Sequence, residues 1–376
     1  MAHLTDFQPL LVKEGFKVIP WRLSRRSLNP FRELNTFLQV IQAYRRERPD
    51  LIHHVALKPI IYGGCAARLL GQTPSVNAIA GMGHVFMSRS WQMRLLRSGL
   101  LVLLRVALGN ENARAVFQNE DDRSLMLRKG VVKLHTTAII RGAGVNVTQF
   151  CPSPEPSGPP VVLLASRMLW AKGIGVFVEA ARKLRESNVT ARLVLVGKPD
   201  PENPDSIAEK QLCAWAESGL VEWWGHQDDM AKIMAQANVV CLPSYGEGVP
   251  RVLIEAAACG RAMVATDAPG CRDIVRNGQN GFLVPLRDPE ALAHAVRTLI
   301  DDPALRSKMG ACGREIVIRE FSEATVFAQM MTIYQQLVGT LWPATDPSAG
   351  LKEEFESVSS RPSAFDSRTC HDKALT

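Results

Sequence analysis

From about Pro160 onward the chain alternates short apolar runs with amphipathic stretches, and few architectures accept that rhythm. Strands are predicted at 160–165, 191–197, 220–224, 238–242, 262–266 and 281–284. Helices are predicted at 174–187, 206–218, 228–236, 252–259, 288–300 and 303–319. The strand runs are near-continuous in apolar residues rather than alternating, as expected where both faces are covered. Strands separated by helices therefore predict a parallel sheet with helices on both sides, a Rossmann-like domain. Ligands of such sheets bind outside the C-terminal ends of the strands. Here those ends fall at Ser166–Gly173, Gly197–Pro199 and Tyr245–Pro250.

With 376 residues the chain has room for two domains with substantial cores. An earlier α/β region carries predicted strands at 76–81, 113–119 and 137–145, and Phe16–Pro20 reads as a further strand. We therefore divide the chain into an N-terminal Rossmann-like domain at 1–150 and a Pro- and Ser-rich linker at 151–159. A C-terminal Rossmann-like domain follows at 160–321, then a last helix at 322–340 and, from 344 to 376, a polar tail read as disordered. The formal net charge of +7 suggests an anionic partner: a nucleotide, an anionic membrane surface or a nucleic acid. With no nucleic-acid-binding motif and 6% aromatic residues, nucleic acid is set aside. The cysteines at 65, 151, 213, 241, 259, 271, 312 and 370 show no metal-site spacing and read as small hydrophobes in a reducing compartment. The apolar run at 99–109, broken by Arg105, is too short to span a bilayer.

The most specific chemistry lies in Ser244–Gly260, SYGEGVPRVLIEAAACG. A Gly-containing loop runs into a helix, and Glu247 and Glu255 flank the transition with seven residues between them. The loop and helix N-terminus offer backbone N–H groups and a positive dipole end to an anion. Glu255, about one turn into the helix, could accept hydrogen bonds from vicinal hydroxyls, as an acidic residue does for ribose in dinucleotide folds. Phosphate plus diol points to a nucleotide, or to a nucleotide joined to a sugar. Upstream, SRMLWAKGIGVF places Arg167 and Lys172 in the loop after the first strand of this domain. An arginine can grip a diphosphate bidentately, and a lysine adds a compact charge.

These segments resemble the E-x7-E signature and the Arg/Lys pair of the retaining glycosyltransferase family 4, which has the two-domain GT-B fold. LVGKPD at 195–200, the run VEWWGHQDDMAKIMAQANVVCLPS and the run ATDAPGCRDIVRNGQNGFLVPLRDPEAL also resemble that family, and the likeness extends from about Gly15 to Val338. The resemblance implies transfer of a sugar with retention from a nucleotide-sugar, a UDP-sugar, without a metal or cofactor. Arg167, Lys172 and Glu247 would act at the diphosphate and donor sugar. Glu255, Gly248, Val249, Pro250, Leu253 and Gly197 would bind the nucleotide, and segment 221–227 would meet the base. DLIHHVALKPIIYGGCAARL and VNAIAGMGHVF are similar to the subgroup that extends lipid-linked oligosaccharides in bacteria, which implies a lipid-linked or glycan acceptor. His84, after Gly81 and Gly83, is the first candidate there, followed by His53, His54 and Lys58. Asn119 would end a strand, and Gly142 and Gly144 would mark the end of the domain. The stretch 89–108 carries Arg89, Arg94, Arg97 and Arg105 among Trp91 and several leucines. It fits an interfacial helix contacting an anionic membrane, and equally a core helix with a solvated Arg face. The expected location is the cytoplasm, at the inner face of the plasma membrane.

The chain departs from the family at its start. The opening strand, Gly loop, helix and second strand of the pattern have no counterpart ahead of Phe16–Pro20, so the N-terminal domain is expected to be incomplete. Two alternatives follow: a nucleotide-binding remnant without catalysis, and a sugar-nucleotide epimerase on the same fold.

Overall fold

The computed structural model describes residues 8–21, 29–71, 73–81 and 91–339, with backbone only at 91–95. The chain divides into two compact units, one of Met1–Ile139 with Met331–Ala344, the other of Ile140–Met330 with Thr345–Thr376.

In the first unit β1 (Ile52–Val55), β2 (Ser75–Ile79), β3 (Ala113–Phe117) and β4 (Thr137–Ile139) form a parallel sheet in the order β1-β2-β3-β4. Ile60, Ile79, Leu104, Phe117 and Met126 are at its core. The helices Leu57–Leu69 and Trp91–Leu108 pack closely, and Gly64 allows it: a Cβ there would lie 2.8 Å from the Ala107 Cβ. Phe16–Pro20 is irregular rather than a strand, following a short helix at Gln8–Lys13; apolar content alone makes no strand without a neighbour to complete its ladder. The strand expected at 137–145 stops at Ile139. Gly142 and Gly144 follow in turns at φ +79° and +80°, and Val145 bridges to Ser322 within the second unit.

The second unit holds β5 (Val161–Ala165), β6 (Arg192–Val196), β7 (Glu222–Trp223), β8 (Val239–Leu242), β9 (Ala262–Thr266) and β10 (Gly281–Val284), all parallel. The order is β10-β9-β8-β5-β6-β7. Successive residues alternate between two cores: Val161, Leu163 and Ala165 face one, Val162 and Leu164 the other. That is why these strands read as continuous apolar runs. From β5 the chain winds outward through β6 and β7, then returns to the other side of β5 for β8, β9 and β10. A topological switch point therefore lies between β5 and β8.

The segment expected as a linker belongs to this unit. Phe150 is buried in its core, and Glu155 accepts hydrogen bonds from Arg306 Nε at 2.9 Å and Asn238 Nδ2 at 2.9 Å. Partial burial pushes the Glu155 carboxyl up, but these bonds and the Arg306 charge outweigh it and hold it below the usual carboxylate range. Pro and Ser content thus marked an ordered strap, because buried partners distant in sequence anchor its one carboxylate. The last helix, Glu323–Val338, passes from the second unit into the first, where the Tyr334 hydroxyl meets His53 Nδ1 at 2.6 Å. The tail from 344 lies outside the described residues.

Candidate active site

The C-terminal ends of β6, β5 and β8 are adjacent in the sheet, and each is followed by one of the expected site segments. After β5 the chain runs through Ser166–Leu169 into a single tight turn at Trp170–Lys172. Gly173 then opens the helix Ile174–Glu186 at φ +73°. A side chain at Gly173 would strike the Pro243 carbonyl oxygen at 2.0 Å, so glycine lets the β5 and β8 loops close on each other. The Tyr245 amide donates to the Ala171 carbonyl at 2.9 Å, and Ser244 Oγ to the same oxygen at 3.2 Å. From beneath, the buried Thr266 hydroxyl donates to the Ser244 carbonyl.

This frame brings Lys172 to Glu247. Their side chains, 75 residues apart in sequence, meet Nζ to Oε1 at 2.5 Å. They are 20% and 12% exposed, so the pair is partly desolvated. The Glu247 amide donates to the Pro269 carbonyl at 3.0 Å, and the Gly270 Cα lies so close that a Cβ would stand 2.4 Å from the Gly248 carbonyl oxygen. Cys271, in the same corner, is buried, and its thiol is pushed up to about 12 by burial, with the Glu247 charge acting in the same direction. It is therefore an uncharged packing group and no nucleophile at neutral pH.

Arg167 reaches from the same loop toward the β6 end, where its Nη1 donates to Asp200 Oδ2 at 2.8 Å. Asp200 is itself held by its amide, which donates to Ser206 Oγ at 2.9 Å. Between them lies Gly197 at φ +136°, where a Cβ would overlap the Ser166 carbonyl at 1.8 Å. Its amide donates to the Gly225 carbonyl at 2.7 Å, and Trp223 Nε1 donates to its carbonyl at 2.9 Å. Segment 221–227 is thereby held against the β6 end.

Beyond Glu247, Gly248 and Val249 lead to Pro250, which starts the helix Arg251–Ala258 without a side-chain cap. Its amides face the switch point with the positive end of the helix dipole. Glu255 is buried and accepts from Arg251 Nε at 2.7 Å. Burial raises the Glu255 carboxyl above the usual range, and Arg251 opposes the shift without cancelling it. A group raised in this way stabilises the fold below its unfolded value and loses that contribution as pH rises. Glu255→Gln is therefore expected to raise Tm near neutral pH, with the gap to wild type closing as pH falls into the carboxylate range. Melting curves across that pH interval measure this; a pH-independent gap would refute it.

Leu253 is fully buried in the core, and its amide donates to the Pro250 carbonyl in the first helical turn. His53 lies within β1, with its Nδ1 2.6 Å from the Tyr334 hydroxyl. His84 falls outside the described residues. His54 is buried between Tyr44, whose hydroxyl is 2.6 Å from Nε2, and Asn77, whose Oδ1 is 2.8 Å from Nδ1. Burial drives its pKa down to about 4, making it a neutral structural group. Lys58 reaches Glu33 at 3.2 Å, and buried Asn119 caps the helix Glu120–Arg128 by accepting from the Asp122 amide at 2.8 Å.

Asp200 and Arg251 were not singled out in the sequence. The i,i+4 spacing of Arg251 and Glu255 was available as a signal, whereas nothing local ties Asp200 to Arg167 across a helix and a strand. The guanidinium of Arg287 over the Tyr245 ring, 4.8 Å from its centre, was equally invisible.

Both halves of the chain are similar to known proteins. Residues 159–302 match the family model for glycosyl transferases group 1, and residues 6–117 match that for glycosyl transferase 4-like domains. The N,N'-diacetylbacillosaminyl-diphospho-undecaprenol alpha-1,3-N-acetylgalactosaminyltransferase of Campylobacter jejuni is 27% identical over 337 residues, covering 86% of this chain and 87% of its own. Sucrose-phosphate synthase from Thermosynechococcus elongatus superposes with a TM-score of 0.72 at 25% identity, over 86% of this chain and 83% of its own. The Anabaena protein HepE, solved in complex with UDP, gives 0.72 at 21% identity, over 88% and 89%. The chain belongs to the family 4 glycosyltransferases and has their GT-B fold, built from two Rossmann-like units.

Proposed function

We propose that the protein transfers a sugar, with retention at the anomeric carbon, from a UDP-sugar to a lipid-linked glycan acceptor. The observation that carries this reading is the meeting of Lys172 and Glu247 at the switch point, beside Arg167 and the uncapped helix Arg251–Ala258. Cations, helix amides and a hydroxyl-seeking carboxylate at one sheet edge suit a diphosphate joined to a sugar. The Campylobacter relative, named for transfer to a diphospho-undecaprenol-linked sugar, supports the lipid-linked acceptor. UDP bound to the structural neighbour from Anabaena supports the donor.

In this reading the bond between the anomeric carbon and the diphosphate oxygen breaks with its electron pair on oxygen. The acceptor oxygen bonds to the same carbon from the same face, and its proton passes to the departing phosphate. Lys172, Arg167 and the amides after Glu247 stabilise the charge that develops on the diphosphate, so catalysis is positioning and preorganised electrostatics. Glu247 holds donor-sugar hydroxyls, Glu255 the ribose, and no metal or cofactor takes part.

Calorimetry with UDP and GDP tests the donor site. UDP is expected to bind in preference to GDP, and Arg167→Ala and Glu255→Ala are each expected to weaken it at least roughly tenfold, the worth of one charge-assisted bond or more. UDP release from a UDP-sugar should require acceptor and persist with a chelator present. A folded wild type that binds neither nucleotide would overturn the reading. Conversion of the UDP-sugar without acceptor would favour an epimerase instead.

A further inference from the structure

The helix Trp91–Leu108 is apolar on two opposite sides, and only one of them is covered. Leu101, Leu104, Ala107 and Leu108 are buried in the first unit's core. On the far side Leu96, Val102, Leu103 and Val106 are 38%, 54%, 47% and 43% exposed. With Gly99 among them they occupy an arc of roughly 120°, at about 100° per residue, that carries no charged side chain. An apolar stripe of this width normally faces a core.

The surroundings say what covers it. From Leu51 to Asn110 the sequence holds neither Asp nor Glu, and among the described residues Arg68 and Arg105 stand beside the stripe. Arg68 Nη1 donates to the Val106 carbonyl at 3.1 Å, and Arg105 Nε to the Gly130 carbonyl at 3.2 Å. Both guanidiniums are thus fixed at the edge of the stripe by carbonyl oxygens, and neither forms an ion pair with a carboxylate among the described residues. Exposed Lys129 adds a further cation beside Arg105. Fixed cations flanking an apolar stripe suit a surface with anionic headgroups above acyl chains, whereas a protein partner of matching chemistry would have to supply a ring of carboxylates around an apolar groove.

We propose that the exposed face of the Trp91–Leu108 helix is a docking surface for an anionic lipid bilayer. The helix lies in the interface plane with Val102, Leu103 and Val106 inserted and Arg68, Arg105 and Lys129 at headgroup level. No helix among the described residues is long and apolar enough to cross a membrane, so this is attachment at a surface. The inference stands on the surface itself and not on the transfer reaction, though it would place the enzyme beside a lipid-linked acceptor.

Co-sedimentation of the full chain with vesicles tests it. Wild type is expected to bind vesicles of phosphatidylglycerol and phosphatidylcholine, to bind pure phosphatidylcholine far less, and to be released by salt. The double variant Val102→Ser/Val106→Ser should lose at least about tenfold in binding, since it removes inserted apolar area. Arg68→Gln should lose up to roughly fivefold. Unchanged circular dichroism and UDP affinity in the variants show that the fold and donor site are intact. Absence of wild-type binding, equal binding by the double variant, or a wild-type dimer that the double variant dissolves would each overturn the proposal, the last by showing a second copy on this face. Loss of UDP binding with vesicle binding retained would count against the donor site alone.

Discussion

Lys172→Ala is expected to lower kcat by about 10²–10³-fold, the effect of removing one preorganised group that meets charge developing in a transition state. Its Nζ is held 2.5 Å from Glu247 in a partly desolvated corner, where a charge acts more strongly than at an open surface. The substitution also leaves the 12%-exposed Glu247 carboxylate without its cation. Some stability will therefore be lost, on the order of 1–3 kcal/mol for a partly desolvated charge deprived of an ion-pair partner. The two effects separate in a double variant. Lys172→Ala/Glu247→Gln should recover the thermal stability, because the carboxylate that lost its lysine is gone, and should stay inactive. Recovery of activity together with stability would mean that the pair only props the loop. Rapid-quench turnover and melting curves on the same preparations decide between the outcomes.

The second large effect is predicted for a residue with no side chain at all. Gly197→Ala should collapse donor binding and lower Tm by roughly 6–12 °C, taking about 3 kcal/mol of destabilisation in a unit of this size. Part of the cost is conformational, since φ +136° is a backbone state that L residues rarely adopt. The larger part is steric: the new Cβ would stand 1.8 Å from the Ser166 carbonyl oxygen, which must move. Ser166 immediately precedes Arg167, and Gly197 also carries the bonds to Gly225 and Trp223 that anchor segment 221–227. Displacing it disturbs Arg167 and segment 221–227 together, the two sides that the proposed function assigns to the diphosphate and the base. Gly278→Ala is the control. It has a similarly positive φ of +76° but open space where a Cβ would go, so it should lose about 1 kcal/mol and keep its UDP affinity. Equal behaviour of the two variants would show that the clash at Gly197 is relieved without consequence.

Much of the second unit was legible in the sequence. The apolar runs of β5, β6, β8, β9 and β10 announced themselves because residues buried on both faces of a parallel sheet cannot alternate with polar ones. Arg167, Lys172, Gly197 and Glu247 lie in the segments that follow strand C-termini, where the rule for such sheets led us to look, and Glu255 lies in the helix that follows. The first unit was harder. Phe16–Pro20 has strand-like composition and is irregular, and the run 137–145 breaks into glycine turns after three paired residues. In both cases tertiary pairing, which no local window contains, decided the outcome. Leu253 illustrates the same limit within a motif: its position beside the site was legible, but the inward direction of its side chain was not.

Periodicity, turn chemistry and short-range spacing are properties of neighbouring residues, and through them the amino-acid order by itself determined the α/β class, the parallel sheet of the second unit and the loops that carry charge. Which partner each charge finds was settled only by the fold. Lys172 meets Glu247 because β8 returns to the flank of β5, and Arg167 meets Asp200 because β6 lies on the other flank. Strap residue Glu155 is fixed by Arg306 from a helix 151 residues away. Likewise the helix Trp91–Leu108 is apolar on two opposite sides in sequence, and only packing shows which side the core covers and which it leaves exposed. These are contacts between segments distant along the chain, so their energies depend on how the sheet is wound and not on any stretch of sequence alone.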